Sequence, residues 1–330
     1  MEKTERFRIY NFRELSTLIM VFLVYFIVCL IEPRFFSFNS IINIFLFFPF
    51  LLLVALGEMM EIISRNVDVS LGSILAFSGY VVGIIFRGNK DFPLILAFLI
   101  AILFGAFLGL INGVIVTKFK IPSVIVTLGT MNFYRGMIFI LGGKQIDNSN
   151  IPKDLVKMSQ PNASVIGVPY SVIISIVMAV LVAVFLTRTR KGREIYATGC
   201  NPEAAKLRGI RVNMVNILVF VLAGALSGLA GMIFISRIGY LDPGVAGKGL
   251  EFTAIAAVVI GGTSMSGGIG TTLGTVFGCL LLGVINNAIS ITGISGYWQE
   301  AIYGIIIIAA VIIDNVIKRS LQKYQGVLRG

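Results

Sequence analysis

Three groups of polar residues interrupt otherwise apolar stretches of this chain. The first is Arg65-Asn66-Val67-Asp68-Val69-Ser70, the second holds Thr127, Thr130, Asn132 and Arg135, and the third is Asn286-Asn287. Charged and amide groups inside apolar segments are costly and normally face a cavity or one another. Asp68 can form an ion pair with Arg65 or Arg135, or it can accept hydrogen bonds from the hydroxyl groups of a solute. The spacing Asp68-x-Ser70 ahead of an apolar run also suits a helix cap. A neutral, hydroxyl-rich solute needs directional donors and acceptors rather than a net field. Asn66, Asp68, Ser70, Thr127, Thr130, Asn132, Arg135 and Asn286 could supply them. Plainer roles compete. Threonine can bond its own helix backbone, Gly129 and the threonines can let helices pack closely, and Asn286 and Asn287 can cross-link helices. Phe48, followed by Pro49, is a candidate gate within a dense aromatic patch from Phe35 to Phe50, although aromatic belts at a membrane interface are the commoner use.

No catalytic centre emerges. No nucleophile is set beside a base, and histidine is absent. Without histidine or clustered cysteine there is no recognisable zinc or haem site. Cys29 and Cys279 lie in apolar runs and Cys200 in a basic loop, an odd count that argues against a disulfide framework. The glycine-rich "GGTSMSGGIG" at 261–270 lacks the lysine of a phosphate cradle and reads as a flexible turn between two spans.

The scaffold for these residues follows from composition. Of the 330 residues, 57% are hydrophobic and only 13% are charged. The mean hydropathy is +0.94. Such a chain cannot surround a water-facing globule, and it fits an all-α polytopic membrane protein. A net charge of +11 could suggest nucleic acid, but the cations fall between apolar runs and not on one face, so no nucleic-acid partner is expected. Ten spans are expected, at about 15–31, 41–60, 69–87, 93–117, 122–142, 165–187, 214–237, 250–262, 271–291 and 297–316. The segment 250–262 is too short to cross alone, so it is expected to be tilted, broken or extended into its flanks. The first span follows a basic leader without a small-residue cleavage site, so it is expected to remain uncleaved. With the N-terminus inside, 18 Lys and Arg fall in inner segments and 8 in outer ones. This bias favours ten spans with both termini cytoplasmic. "LGLINGVI" at 108–115 echoes "LGVINNAI" at 282–289, and the same offset of 174 aligns Asp68 with Asp242. Such an echo predicts an inverted repeat, with a solute site near the midplane.

The most basic inner loop, 188–213, contains "NPEAAKLRG". Asn201 can cap a helix, Pro202 suits its first position, Glu203 favours the positive end of its dipole, and Gly209 can stop it. A helix of about two turns is too short to be stable alone. A groove on a cytoplasmic partner is the natural support.

The spacing Glu203-Ala204-Ala205-x-x-x-Gly209 resembles the coupling loop of ABC importer permeases. "RNVDVSLGS" at 65–73, "IPSVIVTLGTMNFYRG" at 121–136, "GREIYATGCNPEAAKLRGI" at 192–210 and "AIAAVVIGGTSMSGGIGTTLG" at 254–274 are similar to the best-marked stretches of the monosaccharide-type permeases. The likeness runs along nearly the whole chain. It is strongest to the autoinducer-2 and rhamnose branch, and "RNVDVS" departs from the "GGIDLS" form of ribose-type members. The resemblance implies a single permease domain over 1–330 in a bacterial inner membrane. It further implies two cytoplasmic ATP-binding cassette ATPase subunits, a second permease (identical or homologous), and an extracytoplasmic solute-binding protein that delivers a sugar-like small molecule. Asn201, Pro202, Glu203, Ala204, Ala205, Arg208 and Gly209 would then couple to the ATPase. The chain would hold no cofactor, since it has no G-x-x-x-x-G-K-[ST] and ATP would be used by the partner. The rival reading is an ion-coupled secondary carrier, which needs titrating intramembrane acids. Glu58, Glu61, Asp68, Glu251, Glu300 and Asp314 are the available ones.

Overall fold

The computed structural model describes residues 2–161, 164–165, 168–293, 298, 301–305, 308 and 312. The helices are α1 (Glu2–Ile31), α2 (Phe38–Ile63), α3 (Leu71–Gly88), α4 (Leu94–Phe119), α5 (Ser123–Ile140), α6 (Lys153–Lys157), α7 (Tyr170–Arg188), α8 (Arg190–Cys200), α9 (Pro202–Leu207), α10 (Val212–Ile238), α11 (Leu250–Ile260) and α12 (Thr272–Thr292). Two-residue strands at Ser164–Val165 and Val168–Pro169 pair antiparallel ahead of α7. Among the described residues, eight helices are long and apolar enough to cross a membrane, and α11 is a shorter apolar one. These nine match the first nine expected spans. The tenth, 297–316, lies largely outside the described residues. At about 1.5 Å per residue, α11 reaches only about half the hydrocarbon thickness, so it is too short to cross alone, as its length in sequence indicated.

Helices α2 and α10 form the centre. Every residue of α2 from Phe48 to Ile63 is buried, which an all-round apolar sequence requires. The two helices cross antiparallel: Gly57 lies against Ala223, while Phe50 meets Phe234 edge-on at 5.6 Å. Large side chains such as Phe22, Ile95, Leu103, Phe133 and Val180 stand exposed on the outer helices, as expected where lipid replaces water.

The inverted repeat is visible in this packing. Shifted by 174 residues, α2, α3 and α4 fall on α10, α11 and α12. Helix α4 packs along α10 and α12 along α2, while α3 packs on α10 and α11 on α2. Since α2 and α10 run in opposite directions, the halves are related by inversion. The aligned aspartates behave alike: Asp68 Oδ1 accepts from Ser70 N at 2.7 Å, and Asp242 Oδ1 accepts from Gly244 N at 2.7 Å.

Helix α4 meets α10 through Gly105 and Gly109 on one side and Gly224 and Gly228 on the other. A Cβ at Gly105 would strike the Gly224 carbonyl, and one at Gly109 the Phe220 carbonyl. Small residues four apart let two backbones approach this closely. Gly109→Val is therefore expected to destabilise the detergent-solubilised protein by about 3 kcal/mol, because the added carbons meet backbone that cannot yield. Gly129→Val should be neutral, since nothing lies within 4 Å of a Cβ there. Paired thermal-unfolding midpoints check both. The close-packing role considered for Gly129 is thus not one it plays within this chain.

Candidate functional site

Residues 188–213 fold as a two-helix elbow. Sequence reading anticipated only its second helix. Thr189 Oγ1 caps α8 by accepting from Gly192 N at 3.0 Å. Glu194 receives Lys191 Nζ at 2.8 Å and Arg190 Nε at 3.0 Å. The Lys191 hydrogen bond, with help from Arg190, holds the Glu194 carboxyl below its usual range. The signal for α8 was its capping threonine followed by a face of Gly192, Ile195 and Gly199, all buried. After Cys200 the chain turns sharply. Asn201 Oδ1 accepts from both Glu203 N and Ala204 N at 3.1 Å and so starts α9. At the other end Gly209 has φ +79, Gly209 N bonds Lys206 O at 2.9 Å, and Ile210 N bonds Ala205 O at 3.1 Å. That pair of bonds with a left-handed glycine is the Schellman stop. Helix α9 touches the body through Ala205, which is 3% exposed, whereas Leu207 is 91% exposed. The result is a doubly capped two-turn helix that presents an uncovered leucine.

The elbow sits on the end of α2. Ser64 follows α2, and Arg65 then adopts φ +68. Arg65 N bonds Ile62 O at 3.0 Å and Asn66 N bonds Glu61 O at 2.8 Å, the same stop as on α9 but without glycine. A left-handed residue with a Cβ costs about 1–2 kcal/mol. The Arg65 side chain offsets this: Nε donates to Gly199 O at 2.6 Å and Nη2 to Cys200 O at 2.9 Å. These are the last carbonyls of α8, where a cation is favoured. The glycine-rich turn closes the junction, with Gly268 N bonded to Ile63 O at 2.8 Å.

Beyond Arg65 residues 66–68 belong to no helix or strand and 69–70 form a turn into α3, and backbone N–H groups there are met by side chains. Val67 N donates to Ser123 Oγ at 2.9 Å and Val69 N to Thr127 Oγ1 at 3.2 Å, so α5 holds the break. Asp68 is fully buried. Besides Ser70 N, it accepts from Asn112 Nδ2 on α4 at 3.1 Å, and Asn112 also reaches Ser70 Oγ at 2.8 Å. The Tyr134 hydroxyl lies 3.0 Å from Asn112 Oδ1 and 2.9 Å from Leu108 O. Glu58 and Glu61, one turn apart on α2, are fully buried beside this network. Glu58 Oε1 lies 3.4 Å from Asp68 N. Among the described residues none of these three carboxyls is ion-paired.

The ion pairs considered for Asp68 do not form. Arg65 is spent on α8, and Arg135 Nη1 donates to Ala246 O at 3.2 Å in the segment 239–249 between α10 and α11, which is the second break of the repeat. The other candidates are dispersed. Asn66 is buried and bonds Ser64 O and Oγ, and it lines a cavity of about 510 Å³ with Arg65, Lys120, Ser123 and Asn216 at the basic end. Asn286 lines a cavity of about 400 Å³ toward the opposite end of α2, with Phe47, Phe50, Phe234, Lys248 and Tyr303. Asn287 cross-links α12 to Ser40 O at 3.2 Å. Thr130 and Asn132 bond carbonyls of their own helix, and Asn132 is exposed. Phe48 is 2% exposed and packs in the α2 core. Thus Asp68, Ser70 and Thr127 come together, while Asn66 and Asn286 mark two separate cavities. Each cavity borders one of the two broken segments of the repeat. Sequence reading did not single out Asn112 or Tyr134. Asn112 lay within the repeated string, which was the one available signal.

A permease family described as "Branched-chain amino acid transport system / permease component" matches residues 40–311. The autoinducer 2 import system permease protein LsrC of Photorhabdus luminescens is 34% identical over 96% of this chain and 93% of its own length. The protein of that name from Yersinia enterocolitica is 35% identical over 96% of this chain and 86% of its own length. The one from Enterobacter sp. (strain 638) is 34% identical over 96% and 91%. No solved structure matches the chain. A match over residues 40–311, together with relatives aligned almost end to end, makes this chain a member of that permease family, a multi-pass membrane protein built to pass solute.

Proposed function

We propose that this chain is the membrane-spanning subunit of an ATP-binding cassette importer for autoinducer-2 or a closely related sugar-like solute. It pairs with a second permease, identical or homologous. Two cytoplasmic ATPase subunits drive it, and an extracytoplasmic binding protein supplies the solute. The basic end, with α8 and α9, faces the cytoplasm. The observation that carries this reading is α9 itself: capped at both ends, docked through one alanine, and displaying an uncovered leucine that only a partner would bury. The relatives' shared name supports the solute class.

The polar network at the α2–α3 break is the gate region of this reading. Its rigid hydrogen bonding suits a two-state element between the two cavities better than an open site. A secondary carrier would use Glu58, Glu61 and Asp68 as titrating groups. Family membership and the exposed coupling helix favour the ATP-driven machine.

Proteoliposomes decide between them. The chain reconstituted with its permease partner, ATPase subunits and binding protein should take up autoinducer-2 only with ATP inside. Uptake by the lone chain under a proton or sodium gradient would contradict the proposal.

A further inference from the structure

The elbow and the gate region share one residue. Arg65 belongs to the backbone of the break, yet its guanidinium closes the C-terminus of α8 through the Gly199 and Cys200 carbonyls. The next residue, Asn201, is the N-cap of α9. No flexible segment therefore separates α9 from Arg65. On the other side Asn66 to Ser70 follow directly, tied to α5 through Ser123 and Thr127 and to α4 through Asn112.

Two features indicate that Arg65 is placed for this junction and does more than fill a turn. Its conformation is one that glycine adopts freely and arginine does not. The surrounding contacts leave no slack: a Cβ on Gly199 would strike the Ile63 carbonyl, and a Cβ on Gly267 would strike Arg65 Cγ. Parts locked this tightly shift as a unit or switch between discrete arrangements.

We propose that Arg65 is the strut that carries the displacement of α9 into the broken segment Asn66–Ser70. This rests on the importer reading above. The guanidinium fork holds two carbonyls in fixed geometry, as a lysine's point charge does not. When the ATPase subunits move α9, α8 moves with it and draws Arg65, and the break is re-aimed against Asn112 and Thr127. Arg65 is thus a positioning residue, which need touch neither ATP nor solute.

The test uses the full reconstituted transporter with Arg65→Gly, which keeps the turn's favoured backbone and removes only the side chain. Solute delivered per ATP hydrolysed should fall about tenfold or more, the scale of losing a charge-assisted pair of hydrogen bonds. In a background carrying Asn66→Cys, thiol accessibility should change with ATP when Arg65 is present and stay fixed in the glycine variant. Wild-type coupling in the Arg65→Gly complex would overturn the strut. So would loss of the ATPase subunits from that complex, since Arg65 would then merely shape the dock. If the ATPase subunits fail to bind the unaltered chain, the importer reading itself fails, a result separable from both.

Discussion

Leu207→Asp is expected to reduce ATPase-subunit association about a hundredfold while leaving the permease's own thermal stability unchanged. Leu207 is 91% exposed and so contributes little to the fold. If it is the apolar anchor of a docked helix, a carboxylate in its place leaves a charge desolvated at the centre of an interface, which costs on the order of 2–4 kcal/mol. Asn201→Ala tests the same helix from its foundation. It removes the acceptor for two N–H groups at 3.1 Å, a loss of about 1 kcal/mol for a cap. A six-residue helix has little else to hold it, so coupling should weaken in step. Co-purification from native membranes and unfolding of the isolated permease separate the two effects. If Leu207→Asp binds the ATPase normally, the docking role of α9 is lost.

Asp68→Ala should nearly abolish uptake in complexes that still assemble. The substitution strands Ser70 N and one of the two hydrogens of Asn112 Nδ2, whose nitrogens lie 2.7 and 3.1 Å from the carboxylate; the other Nδ2 hydrogen keeps Ser70 Oγ. Each buried orphan costs about 1–3 kcal/mol, enough to unsettle a break whose backbone depends on side chains. Asp242→Ala is the internal control. The aligned residue makes the matching bond to Gly244 N, but that bond is exposed, so its loss should cost about 1 kcal/mol or less. Uptake normalised to assembled complex should drop at least tenfold further for Asp68→Ala than for Asp242→Ala. Equal effects would deny the first break its special part.

The contrast between these aspartates also shows what the sequence carried. Their alignment at one offset was legible, and with it the inverted repeat, because each half rewrites the same order of apolar spans and turn residues. Helix α9 was legible for a local reason: its start and stop depend on Asn201 and Gly209 alone. Helix α8 was not, since it is held by burial of Ile195 and by the close approach of Gly199 to the end of α2 and the glycine turn. The site was legible only in part. Asp68, Ser70 and Thr127 converge as polar residues in apolar spans should. Their partners Asn112 and Tyr134 lie on other helices, and sequence spacing gives no sign of such contacts. Arg65 misled for a related reason. A neighbouring acid and base suggest an ion pair, but Arg65's left-handed backbone directs the side chain outward to α8.

The most direct test is cross-linking from Leu207→Cys in native membranes, with the exposed Cys200 replaced by serine. The expected result is a single adduct with an ATP-binding subunit, together with protection from membrane-impermeant thiol reagents applied outside the cell. Labelling of the introduced thiol from the extracytoplasmic side, or no adduct with an ATP-binding protein, would contradict the coupling role assigned to this helix.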